Sequence, residues 1–142
     1  MGSNSSIHKA VQDNDVHRLE RLISRGGNIE ERDDNGQTSL GYAARYGKLD
    51  VVKFLVEMKA NIEAKDRFGK TPLGIAAYYG ELDVVKSLVG MKANIEAKDN
   101  DGDTPLSYAA RMGKLDVVKS LVGMKANIEA KDIRGTFTSN SG

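Results

Sequence analysis

Apolar positions along the chain fall into short helical runs rather than alternating patterns. Ile7, Ala10 and Val11 share one face of a run from Ile7 to Asn14, and Val16, Leu19, Leu22 and Ile23 share one face of a run from Val16 to Ser24. The pair Gly26-Gly27 then supplies a stop, because glycine adopts the left-handed conformation that closes a helix. Farther on, Leu49, Val51, Val52, Leu55 and Val56 recur at close to i, i+3, i+4 spacing, and the same run returns at Leu82 to Val89 and at Leu115 to Val122.

That recurrence has a fixed period. Shifting the sequence by 33 residues superimposes Asp33, Asp66, Asp99 and Asp132, then Gly36, Gly69, Gly102 and Gly135, then Thr38, Thr71 and Thr104. Self-similarity at this period marks an architecture of stacked repeats, in which each unit buries its apolar face only against its neighbours. The expected organisation is a short N-terminal segment at 1–6, a capping unit at 7–32, three full units at 33–65, 66–98 and 99–131, and the start of a further unit at 132–142. Each full unit reads as turn, helix, helix and loop. Gly36, Gly69 and Gly102 sit where the turn calls for a positive φ, Thr38, Thr71 and Thr104 are helix N-caps, and Pro72 and Pro105 follow at the first helical position. The alanine pairs Ala43-Ala44, Ala76-Ala77 and Ala109-Ala110 keep the first helix thin, and Gly47, Gly80 and Gly113 end it. In the capping unit, His8, Lys9, Gln12, Arg18 and Arg21 are expected to form a polar outer face.

The stretches TPLGIAA and TPLSYAA, the period, the glycine after the first helix, the valine-leucine second helix and the closing ANIEAKD together resemble the ankyrin repeat, from Ile7 to about Gly135. The resemblance implies an all-α solenoid of stacked helix-turn-helix units with β-hairpin-like loops, whose loops and first helices line a concave surface that binds other proteins. Three departures stand out. Gly41, Gly74 and Ser107 occupy the place of the histidine that follows T-P-L, so the inter-unit hydrogen bonds of that histidine must be absent or replaced. Lys59, Lys92 and Lys125 stand where a glycine ordinarily closes the second helix, so either lysine bears left-handed strain of about 1 to 2 kcal/mol or the loop is reshaped. Glu30, Glu63, Glu96 and Glu129 replace an asparagine that is hydroxylated in many ankyrin repeats, with Asn61, Asn94 and Asn127 two positions earlier, so that modification is not carried over.

Composition narrows the function. With 21 basic and 20 acidic residues in 142, the formal net charge is +1, and no dense basic run marks a nucleic-acid partner. Cysteine is absent, which removes disulfides, thiolate zinc sites and thiol catalysis. No run approaches the roughly 18 apolar residues of a membrane span, no apolar secretory core follows Met1, and mean hydropathy is −0.45, so an intracellular, cytoplasmic or nuclear, protein is expected. Met1-Gly2-Ser3-Asn4-Ser5-Ser6 fits a myristoylation pattern with Gly2 as acceptor, although so short a motif is better read as a flexible start or a cloning remnant and a single acyl chain without a basic patch binds membranes only marginally. No enzyme is expected: His8 and His17 lack a third ligand at metal spacing, and no nucleophile elbow or phosphate-binding glycine loop is present. Glu63, Asp66, Glu96 and Asp99 recur with the period and read as loop residues, and no cofactor is called for.

Comparing units locates the candidate surface. Asp66–Lys98 and Asp99–Lys131 differ at Arg67/Asn100, Phe68/Asp101, Lys70/Asp103, Gly74/Ser107, Ile75/Tyr108, Tyr78/Arg111, Tyr79/Met112 and Glu81/Lys114, and are identical from Leu82 and Leu115 onward. The turn and first helix vary while the second helix is copied, as in a recognition face carried on a constant frame. The candidate protein-binding residues are therefore Asp34, Asn35, Gln37, Arg45 and Tyr46 in the first full unit, Arg67, Phe68, Lys70, Tyr78 and Tyr79 in the second, and Asn100, Asp101, Asp103, Arg111 and Met112 in the third. Tyr42, Ile75 and Tyr108 are assigned to packing between units, and Asp101 and Asp103 opposite Arg67 and Lys70 would make the groove dipolar. Two other readings compete. One is a self-associating or engineered, consensus-like scaffold, suggested by the unchanged Leu115, Val118, Leu121 and Val122 in a last unit with no polar cap; the other is a myristoylated peripheral adaptor.

Overall fold

A computed structural model describes residues 6–136, with side chains described as far as Lys125. The periodic apolar runs become α1 (Ser6–Gln12), α2 (Val16–Ser24), α3 (Ser39–Arg45), α4 (Leu49–Glu57), α5 (Pro72–Tyr79), α6 (Leu82–Gly90), α7 (Pro105–Arg111) and α8 (Leu115–Thr136). No strand occurs among the described residues. The first helices stack in the order α1, α3, α5, α7 and the second helices in the order α2, α4, α6, α8. Between the two rows runs one continuous core, built from Ala43, Ala44, Ala76, Ala77 and Ala109 of the first helices and from Val51, Val52, Leu55, Val84, Val85, Leu88, Val117 and Leu121.

Each first helix starts as predicted. The Oγ1 of Thr38, Thr71 and Thr104 accepts from the N–H of Gly41, Gly74 and Ser107, at 3.2 Å each. Ahead of the cap, Gly36, Gly69 and Gly102 have φ of 75°, 83° and 84°, and the turn is closed by backbone bonds from Asp33 to Gln37, Asp66 to Lys70 and Asp99 to Asp103. The Oδ1 of each turn aspartate accepts two further backbone N–H groups, such as those of Phe68 and Lys70 on Asp66. These turns are hairpin-like in closure but make no extended ladder.

Lysine bears the strain at the second helices. Lys59 and Lys92 lie at φ 76° and 79°, where the capping unit has Gly26 at φ 95°. The reason is a Schellman motif in which the N–H of Ala60 reaches Leu55 O and that of Lys59 reaches Val56 O, repeated at Ala93 to Leu88 and Lys92 to Val89. The motif places Ala60 and Ala93 in the core, which offsets the local cost.

The third unit departs from expectation. Its second helix does not stop near Lys125 but runs 22 residues to Thr136, through the segment expected to form the closing loop and the start of a further turn. In the inner units that loop is held by its predecessor: Glu30 Oε2 accepts from Asn61 N–H and Glu63 Oε2 from Asn94 N–H, each at 2.7 Å. Glu96, the next in this series, forms an ion pair with Lys125 instead. Glu30 and Glu63 thus tie one loop to the next, and Glu63, Asp66 and Asp99 have the loop roles expected of them.

The capping unit also differs at one residue. His8 is fully buried rather than on a polar face, and its Nε2 donates to the Gln37 carbonyl at 3.0 Å. His8 lies 33 residues before Gly41, so it occupies the histidine position of the repeat, and it makes the inter-unit hydrogen bond that the later units have lost. There the bond is replaced by packing: a Cβ on Gly41 would lie 3.4 Å from Ile75 Cδ1, and one on Gly74 would lie 3.2 Å from the Tyr108 ring. Each glycine is a socket for the bulky residue of the following unit, as the assignment of Ile75 and Tyr108 to packing anticipated. Ser107 instead completes a reciprocal cap, its Oγ accepting from Thr104 N–H at 2.9 Å.

Candidate functional site

The varied half of each unit forms one face, made of three successive turns and the exposed sides of α3, α5 and α7. The turns are stitched through their backbones. Arg67 donates to the carbonyls of Asp34 and Asn35, Asn100 Nδ2 donates to Arg67 O at 3.3 Å, and Asn100 N–H donates to Phe68 O at 3.1 Å. Below them, Arg32 donates to Lys65 O and Gly36 O. Arg67 and Asn100, expected to be partner contacts, are therefore also fasteners between units, although both remain exposed.

Aromatic side chains gather at the centre. Tyr46, Phe68 and Tyr79 are 50%, 57% and 41% exposed, and Met112 is 40% exposed at the far end. Tyr78 is different. It is half-buried, with its ring edge-on to Tyr79 at 4.9 Å and to Tyr108 at 5.8 Å, so it packs between α5 and α7 as well as flanking the face. Gln37 is a correction, because it is buried where its backbone meets His8 and Asp33 and so offers no broad contact surface.

Cations lie over these rings. The Arg45 guanidinium carbon is 5.0 Å from the Tyr46 ring centroid and 4.9 Å from that of Tyr79, a bridge between consecutive units. Lys70 Nζ lies 4.6 Å from the centroid of Tyr78, 5.4 Å from Phe68 and 5.5 Å from Tyr108. Such contacts hold long side chains in place and shed part of their hydration. Asn35, Gln37, Arg45, Arg67, Phe68, Lys70 and Tyr79, all expected as site residues, line one depression of about 220 Å³ with Asp66 and Ile75.

The third turn is acidic. Carboxylate oxygens of Asp99, Asp101 and Asp103 lie within 4.8 Å of one another, but two of the three groups are committed: Asp103 pairs with Arg111 at 3.3 Å, and Asp99 accepts from the Tyr108 hydroxyl. Burial alone would raise the Asp99 carboxyl, but hydrogen bonds from Tyr108 and from the N–H groups of Asp103 and Asp101 outweigh it and hold it below the ordinary range. Burial first, and then the bond to Asp99, pushes the Tyr108 hydroxyl well up. The face is thus basic and aromatic at its centre and acidic at the third unit, while Asp34 stays exposed at the first. Gly2 lies outside the described residues.

A family model of ankyrin repeats in three copies matches residues 3–66 and again 60–132, which covers nearly the whole chain. The chain belongs to the ankyrin-repeat family. A search of curated proteins gave no match. Ankyrin repeats are generally protein–protein interaction modules and are typically not enzymes. The missed signal in this ankyrin chain was His8, which the 33-residue shift exposes and the hydrophobic pattern of the cap conceals. No helix of the described residues is long and apolar enough to cross a membrane, α8 included.

Proposed function

We propose that this chain is a non-enzymatic binding module that holds a protein partner against its turns and first helices, with the second full unit supplying the central contacts. One observation carries the reading. Six large apolar side chains are exposed among the described residues, and four of them, Tyr46, Phe68, Tyr79 and Met112, lie on the half of the repeat that varies. Exposed aromatics ringed by arginines are the composition of interface hot spots, where much area is buried with few rotors frozen.

The test is an affinity pull-down from a cell lysate with wild-type protein and with a Tyr46→Ala/Tyr79→Ala variant, followed by hydrogen exchange on the complex with any captured protein. Tyr79 and Tyr46 are better targets than Tyr78, whose removal would also disturb the packing of α5 on α7. We expect the variant to keep its helicity and to lose at least about tenfold in affinity, with protection confined to the turns and first helices. Equal capture by both proteins, or protection only along the second helices, would remove this reading.

A second reading rests on the other two exposed residues. Leu115 and Val122 are 70% and 51% exposed, whereas their counterparts Leu49, Leu82, Val56 and Val89 are half-buried and pack against the core. This exposed apolar pair favours self-association through the third unit. Light scattering across concentration decides it, since a monomer at every concentration removes the idea.

A further inference from the structure

Three arginines stand on the candidate face, and among the described residues only one leaves its donors without an acceptor. Arg67 donates to the carbonyls of Asp34 and Asn35, and Arg111 is paired with Asp103. Arg45 lies against two tyrosine rings from consecutive units, and no acceptor among the described residues bonds its guanidinium. A guanidinium held this way is oriented and partly stripped of water, yet keeps a planar fork of N–H groups that fits a carboxylate bidentately. Beside it, Lys70 lies over three rings and forms no ion pair within 4 Å among the described residues.

The charge of the depression points the same way. It gathers Arg45, Arg67 and Lys70 against the single carboxylate of Asp66, whose Oδ1 is occupied by the N–H groups of Phe68 and Lys70. This local excess of positive charge sits in a chain whose formal net charge is only +1. Its apolar walls include Phe68 and Tyr79, both exposed. On the next turn the carboxylates of Asp99, Asp101 and Asp103 would repel a second acid, which fixes the direction in which an acidic segment can lie.

We propose that the depression receives the carboxylate of an aspartate or glutamate side chain from a partner protein, paired with Arg45, while an adjacent apolar side chain of that partner covers Phe68 and Tyr79. Lys70 adds charge and Asp101 sets polarity. The proposal rests on the protein-binding reading of this face and adds the chemistry of what is bound. The stacking of Arg45 is what makes the pair favourable, because an arginine already ordered loses little entropy when its fork closes.

The experiment uses the full chain and two displayed random peptide libraries, identical except that one has asparagine and glutamine wherever the other has aspartate and glutamate. Binders from each are mapped on the protein by hydrogen exchange. We expect peptides that protect the turns and first helices to come from the acidic library with an apolar residue beside the acid. In one such peptide, the change from glutamate to glutamine should weaken binding by about tenfold or more, and Arg45→Gln should do the same, since a charge-assisted pair is involved. Combining the two changes should cost little beyond either alone. Arg45→Lys, which keeps the charge and loses the fork, should fall between wild type and Arg45→Gln and guards against a loss of fold, as does circular dichroism of each variant. Groove-directed peptides that come equally from both libraries, or an Arg45→Gln effect that persists undiminished with the neutral peptide, would overturn the carboxylate site and leave the protein-binding reading standing. Binders from either library that protect only the second helices would overturn both.

Discussion

Lys92 shows how a single residue departs from its family without changing the fold. At φ 79° it has the conformation that Gly26 adopts in the capping unit, and the Schellman bonds around both are the same. The left-handed conformation costs a non-glycine residue about 1 to 2 kcal/mol, while glycine loses about 0.5 to 1 kcal/mol more chain entropy on folding. Lys59→Gly and Lys92→Gly should therefore each stabilise the protein by about 0.5 to 1 kcal/mol, read from the denaturant midpoint at unchanged slope. Asp99 makes an opposite case, of a residue that fits its site through its charge. Because its carboxyl is held below the ordinary aspartate value, the stability it contributes is fully present above about pH 4 and is lost as pH falls through the folded-state value. Asp99→Asn should destabilise the chain at pH about 7, and the gap from wild type should shrink once the pH falls below about 4. Denaturant titrations at the two pH values check this, and a gap independent of pH would assign the effect to the turn geometry alone.

Elements show what the chain pattern can and cannot specify. Caps, turn glycines and the two rows of helices were legible because they depend on local chemistry repeated with the period. The length of α8 was not. Leu82–Asp99 and Leu115–Asp132 are the same 18 residues, yet the first gives a helix ending at Gly90, a left-handed Lys92 and a loop, and the second gives unbroken helix. Identical local sequence means that the surroundings decide. The loop of the second unit is held by Glu63 and Lys65 of the unit before, which reach its backbone, and a well-formed turn with Thr104 and Pro105 follows it. In the third, Phe137 and Thr138 stand at those two positions, and remaining helical spares Lys125 the left-handed conformation. Lys125→Gly should reverse the balance. It removes that strain and puts glycine in a helix interior at about 1 kcal/mol, a combined swing of about 2 to 3 kcal/mol toward the loop. Backbone carbon chemical shifts of residues 126–132 should move from helical to loop values, whereas Lys92→Gly should leave the equivalent shifts unchanged. The candidate surface was legible to a similar degree: repeat comparison picks out the varied face and its exposed aromatics, and leaves open that Tyr78 or Tyr79 packs between units, but it could not foresee that Gln37 is covered or that Arg45 keeps an open fork. Those facts depend on contacts between units.

At the scale of the whole molecule, stability is a sum of unit interfaces, and they are not built alike. The capping unit joins the first full unit through a buried histidine bond, the first joins the second through Ile75 in the Gly41 socket, and the second joins the third through Tyr108 in the Gly74 socket. Tyr108 carries the most at its joint. Almost wholly buried, it also meets Tyr78 edge-on, lies under Lys70 and donates to Asp99. Tyr108→Ala would empty that socket and strand the Asp99 carboxylate, and loss of a buried aromatic costs about 3 to 5 kcal/mol. Since α7 and α8 pack onto the rest of the array chiefly against α5 and α6, the loss should fall on the third unit and spare the others. Hydrogen exchange should show amides of α7 and the first turns of α8 losing protection while α1 to α4 keep theirs. Uniform loss from α1 to α8 would mean that the array folds as one cooperative block, and that the face it presents cannot be loosened at one end.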